Sequence, residues 1–528
     1  MSQTNTKKPN SIARLLPVVM VAFGMLLAAT AHATTPGITG TSFSINAEAN
    51  YNNQPDGAMV YSWGYGCSST STPSFLPTPL SPTVAGANCP TMQIPGPTLI
   101  VREGDTVTVT LTNNLPVAAG NTSILFPGFN VTATNGVPGL LTREAVHGGT
   151  VTYSFVATTP GTRAYYSGTQ GDLQVEMGLY GAVVVIPTTV PSGCRAVTTN
   201  LPDGQRDYRL AASAYDNVET CYDREYLFQF AEMDPKIHTQ AEAIAKCVAA
   251  PGITCPANMS TVTTENYHPA YFLINGRSMP DDMDSNYAPA YPHQPYNGNP
   301  HMHPGELVLV RVIGQGRWQH PFHEHGNHVR ILGRDGNLIV SSTASASPAT
   351  RALAGPLLFT TTTTPGLAMD GIFYWTGRGL NWDVYGHGYP GDTSVCIPDA
   401  NGYYTSVPTA PNYYEWCQDH NKALEVAPFG QVAGGGPATL PDSNILTNGP
   451  WYGGSPYLGP DATVRATSST GSTPPSGTIA NPPTSEAGFA FMWHSHNERE
   501  ITTNNVFPGG MMMMMLVDPQ AFVIDESL

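Results

Sequence analysis

The stretch "PTLIVREGDTVTVTLTNNL", residues 97–115, alternates apolar and polar side chains through two runs that flank the turn Glu103-Gly104-Asp105. A period of two puts successive side chains on opposite faces, so this pattern can be buried only as half-buried β-strands. "GGTVTYSFVATTPGTRAYYS" predicts two further strands, and the apolar run in "GLYGAVVVIP" predicts a buried closing strand. The same syntax returns later in the chain. "GELVLVRVI" echoes "GDTVTVTLT", and "GFAFMWHSH" echoes "GTRAYYSGT". We therefore expect an all-β protein of two related units, residues 34–188 and 209–528, joined by a Pro- and Thr-rich linker at 189–208.

Composition agrees with strands and long loops: 53 Gly and 48 Pro in 528 residues, with only 11% charged side chains. The second unit carries insertions. "DPKIHTQAEAIAKCVAA" predicts a helix capped by Asp234 ahead of Pro235, and residues 388–485 predict loop. The first 33 residues have a basic start, an apolar run and the small-residue motif "AHA", the pattern of a cleaved export signal. No later segment is apolar enough for a membrane span, so the mature protein is expected to be exported, to the periplasm or the cell exterior. A net charge of −16 argues against nucleic acid and anionic membranes as partners. Eight cysteines fit an oxidising compartment, and chain proximity makes 67–89, 194–221, 247–255 and 396–417 the simplest pairs.

The chemistry concentrates in three histidine clusters: "HMH" (His301, His303), "HPFHEHGNH" (His320, His323, His325, His328) and "HSH" (His494, His496). On strands, His323 and His325 share one face and His494 and His496 share another, whereas His320 and Ser495 have the opposite parity. Neighbouring strands would thus present four imidazoles on one side, a ligand set suited to copper, zinc, iron or nickel. His301 and His303 fit an exposed loop pair as well as a metal site. The run Met511–Met515 fits a closing strand whose alternate side chains fill the core.

"HPFHEHG" followed by "HSH" and a Met-rich strand resembles the C-terminal copper motifs of the multicopper oxidases, and "FLINGRSMP" and "PGLAMDGIFYWTG" stand in family order. The resemblance implies two cupredoxin-like Greek-key domains, as in two-domain laccases and nitrite reductases, and suggests a homotrimer. It implies metal-binding roles for His320, His323, His325, His494 and His496, with His320 on the type 1 side and the others on the copper-cluster side. It also marks losses. Ser495 stands where the family has the type 1 cysteine and Glu500 where it has the last histidine. Leu125, Pro127, Tyr166 and Gly168 stand where the first domain has its four histidines.

A serine hydroxyl is a hard, weak ligand and cannot replace the thiolate of a type 1 centre. Four imidazoles cannot fill the eight positions of the three-copper cluster. The expected function is copper binding at a reduced histidine site, with a copper-dependent oxidoreductase activity in view but not ordinary laccase turnover. With Glu324, Glu498 and Glu500 near by, zinc, manganese and iron are alternative metals. The alternative function is a non-catalytic cupredoxin scaffold of the cell envelope.

Overall fold

The computed structural model describes residues 35–526 except 78–88, 251, 253, 257, 343–346, 379–396, 409, 411–412, 419–453, 458–462, 465–478 and 481–484. The expected export signal and most of the loop-rich insertion lie outside the described residues. No described helix is long and apolar enough to cross a membrane.

The protein is nearly all β. Two five-stranded sheets in the N-terminal half enclose one core, and a seven-stranded and a six-stranded sheet in the C-terminal half enclose another. The turn 103–105 does not make a hairpin. It carries the chain from one sheet (Leu99–Arg102) to the facing one (Thr106–Asn113); the second run alternates as expected, whereas Leu99, Ile100 and Val101 are all buried because their strand, parallel to both neighbours, is covered on both faces. Gly104 takes a φ of 86° there, a left-handed conformation that favours glycine.

The sequence repeat is a repeat of topology. In the first half, Leu99–Arg102 runs parallel to Tyr180–Ile186, which pairs antiparallel with Gly161–Tyr166. In the second half, His301–Met302 runs parallel to Met512–Val517, which pairs antiparallel with Gly488–Ser495. Likewise Ser42–Asn53 lies parallel to Thr106–Asn113, as Arg224–Met233 lies parallel to Leu307–Gly314. "GFAFMWHSH" and "GTRAYYS" therefore occupy one position in two copies of a strand plan.

The predicted helix spans Pro235–Ala249, and the Asp234 side chain accepts from the Lys236 N–H at 2.9 Å. Its apolar face, with Ile237, Ala241 and Ile244, packs into the N-terminal core. Buried polar groups also join the halves. Asp370 accepts from the Thr162 N–H at 3.0 Å and the Tyr215 hydroxyl at 2.6 Å. Three of the expected disulfides form, 67–89, 194–221 and 247–255. Cys417 is disulfide-bonded, while Cys396 lies outside the described residues.

Met511, Met513 and Met515 are fully buried in the C-terminal core beside Trp493 and Phe322, as expected for alternate residues of a closing strand. His301 and His303 are not an exposed pair. Both are buried: His301 meets Asp518 at 2.7 Å, and His303 donates from Nε2 to the Phe522 carbonyl at 2.9 Å. They pin the C-terminal tail, and neither belongs to the group formed by His323, His325 and His494.

Candidate metal centre

Strand register brings the two His-x-His motifs together. His320–Glu324 pairs antiparallel with Gly488–Ser495, and His323 stands opposite His494. Backbone bonds extend the match past the strand ends, with His325 N–H bonding the Met492 carbonyl at 3.4 Å and His496 N–H the Pro321 carbonyl at 2.8 Å. One ligand atom from each of His323, His325 and His494 lies within 4.8 Å of the others, compact enough to hold one metal ion. Nε2 of His494 and Nε2 of His325 are 3.2 Å apart. His496 is at the rim: its ring lies 4.8 Å from that of His323, and its side chain is 49% exposed beside Glu498.

Neighbouring groups set which nitrogens face inward. His494 Nδ1–H donates to the Ser495 carbonyl at 2.7 Å, and His323 Nδ1 bonds the Thr360 hydroxyl at 2.6 Å, leaving Nε2 of each ring for a metal. The Trp493 indole N–H holds the His325 carbonyl at 3.0 Å. Burial and the three neighbouring imidazoles push His323 down to about 4, and burial lowers His494 as well. Both rings are therefore neutral near pH 7, the form that binds metal. Thr360, in the run "FTTTTT", has no marker of its own in the sequence.

His320 lies elsewhere, as its parity requires. It is fully buried, donating from Nδ1 to Glu500 Oε2 and from Nε2 to Glu232 Oε2, each at 2.9 Å. Burial alone would lower its pKa, but the two carboxylates outweigh that and push it up to about 9. Ser495 donates its hydroxyl to Glu500 at 2.5 Å, and Asn497 donates its amide at 2.9 Å. The three residues at the resembled type 1 positions are thus together, but they do not fit copper: there is no thiolate, and both imidazole nitrogens carry hydrogens bound to carboxylates. Glu324 points away from the imidazoles by strand alternation. Burial pushes its carboxyl up to about 8, while the Thr361 hydroxyl donates to it at 2.5 Å.

The first half has the matching backbone without the ligands. Leu125 and Tyr166 form a bridge, exchanging backbone hydrogen bonds at 2.7 and 3.3 Å, in the place where His323 faces His494 in the second half. His147 is spent on the Leu115 carbonyl at 2.7 Å.

Residues 83–189 match a family model described as multicopper oxidase. That stretch of the chain is similar to a multicopper oxidase domain. Over 98 residues the chain is 37% identical to "Multicopper oxidase MCE" of Talaromyces pinophilus and 38% identical to "Laccase abr2" of Aspergillus fumigatus, in each case 18% of this chain. The aligned part spans only 15% and 16% of those two relatives. A blue copper oxidase structure from Nitrosomonas europaea superposes with a TM-score of 0.43 at 14% identity, covering 90% of this chain and 85% of that one. The multicopper oxidase match falls on the half that has Leu125, Pro127, Tyr166 and Gly168 where the resembled motifs have histidine, while the histidines that can hold a metal lie in the other half.

Proposed function

We propose that this is an exported multicopper-oxidase-like protein that binds copper through His323, His325 and His494, with His496 as a fourth ligand at the rim, and that lacks type 1 copper. The observation that carries the reading is the convergence of three imidazole ligand atoms within 4.8 Å on a rigid two-strand platform. Copper bound there would supply a one-electron redox centre with an open coordination position. The chain's own residues orient it: Thr360 and the Ser495 carbonyl fix two rings, and Phe359, half exposed and 5.5 Å from His323, forms an apolar lip. The proposed units are cupredoxin-like domains at 34–188 and 209–528, with periplasmic or extracellular residence, and a homotrimer is a further part of the proposal.

The test is copper loading of the full chain, desalting, metal analysis and absorption and EPR spectra. We expect about one copper per chain with nitrogen hyperfine structure and no intense thiolate-to-copper band. His323→Ala combined with His494→Ala should abolish retention. Wild-type protein that emerges without copper overturns the proposal, and an intense blue band overturns the absence of type 1 copper.

A further inference from the structure

A cavity of about 290 Å³ lies where the first half would present its copper ligands. Leu125, Tyr166 and Gly168, three of the four positions at which the resembled motifs have histidine, are on its wall. Leu141, Val175 and Pro365 complete the apolar lining, the last from the second half of the chain. No Asp, Glu, Lys, Arg or His is among the described lining residues. Burial raises the Tyr166 phenol above its ordinary value, so that wall stays uncharged as well. A Cβ on Gly168 would fall 2.8 Å from Leu125 Cγ, so glycine is what lets the leucine lie flat against the strand here.

Besides the hydroxyls of Tyr166 and Ser167, the second of which donates to Gln174 Oε1 at 2.6 Å, a buried amide is built into this wall. Gln315 is 1% exposed, and its amide N–H groups are held by the Gly181 carbonyl at 3.0 Å and Gln229 Oε1 at 3.1 Å. With both donors committed, the amide can offer the cavity only its carbonyl oxygen, an acceptor. A mainly apolar cleft without charged side chains and with a fixed amide acceptor favours a neutral ligand that brings a hydrogen-bond donor, because a charged ligand would lose hydration without compensation. The volume is at the small end for a ligand pocket and suits a single ring.

We infer that this cleft binds a small neutral apolar molecule carrying one hydroxyl or N–H donor, seated on Leu125, Leu141 and Val175 and hydrogen-bonded to Gln315. The site is independent of the histidine cluster and needs no metal. Cyclohexanol is the probe, with methoxycyclohexane, cyclohexylammonium and cyclohexanecarboxylate as comparators, followed by saturation-transfer NMR titration of the metal-free full chain. Cyclohexanol should bind saturably, the ether more weakly, and the two ions not at all. Leu141 is 65% exposed, so Leu141→Ser leaves folding intact and should weaken cyclohexanol about fivefold by removing part of one apolar wall. Gln315→Met should erase the preference for alcohol over ether. Equal binding of the ions, unchanged affinity in Leu141→Ser, or no saturation by cyclohexanol up to its solubility each overturns the assignment.

Discussion

Glu500→Gln tests whether the buried cluster of His320, Ser495 and Glu500 is held by charge. In the wild type, His320 is an imidazolium clamped between Glu232 and Glu500, with a folded pKa of about 9 against an ordinary 6.5. A raised folded pKa contributes stability that is complete below about pH 6.5 and is lost as pH climbs through about 9. At 1.36 kcal/mol per pH unit, the shift from 6.5 to about 9 corresponds to about 3 kcal/mol shared by the two carboxylates. Glutamine keeps a carbonyl acceptor for His320 Nδ1–H and the Ser495 hydroxyl, removes the charge and gives up the bond from Asn497, so roughly half of this, about 1–2 kcal/mol, should disappear. The difference between charged and neutral hydrogen bonds, about 1–1.5 kcal/mol, gives the same size independently. Urea unfolding of metal-free wild type and variant should show that gap at about pH 6 and its closure by about pH 10. A gap that stays constant with pH, or none at about pH 6, would refute the imidazolium clamp.

Three further predictions follow the same geometry. Glu324→Gln should be close to neutral at about pH 4.5 and stabilise the protein at about pH 8, because a carboxyl held up to about 8 costs stability as pH rises above 4.5; the check is urea midpoints at both pH values. Met513→Ala, in the fully buried core, should cost about 2–5 kcal/mol in the same assay while copper stoichiometry per folded chain is unchanged. Thr360→Val should weaken copper about 10-fold or more by releasing His323 Nδ1, with little change in stability, as measured by competition with a chromogenic chelator.

Much of the architecture was legible because it rests on local period and on repetition. Alternation after Gly104 and the apolar run before it marked strands, and the matching of "GELVLVRVI" to "GDTVTVTLT" turned out to be a matching of places in two sheets. Parity alone separated His320 and Ser495 from His323 and His494, and the register bears out that division. What the sequence did not reveal are partners fixed by long-range packing. Glu232 lies 88 residues before His320 in a run whose alternation reads simply as a strand, and nothing local marks it as the second carboxylate. His301 and His303 show the converse. Their motif suggested loop or ligand, but the strand beside Met512–Val517 buries them against the tail, a pairing across more than 200 residues.

The two halves also bear on what metal does for the fold. Leu125 and Tyr166 keep their backbone bridge although no imidazole is present to hold a metal, and the facing pair His323 and His494 is held by ladder bonds over a core of Phe322, Trp493 and the buried methionines. The backbone geometry is therefore set by pairing and packing, and a metal would be captured by a preformed site. Binding to the folded state alone stabilises by RT ln(1 + [L]/Kd), about 2.7 kcal/mol at a hundredfold excess over Kd. Chelation should consequently lower the unfolding midpoint by an amount that tracks free copper, leaving the far-UV circular dichroism of the native protein unchanged. Loss of β-sheet signal on chelation would mean that the histidine strands need metal to pair, contrary to what the first half achieves without one.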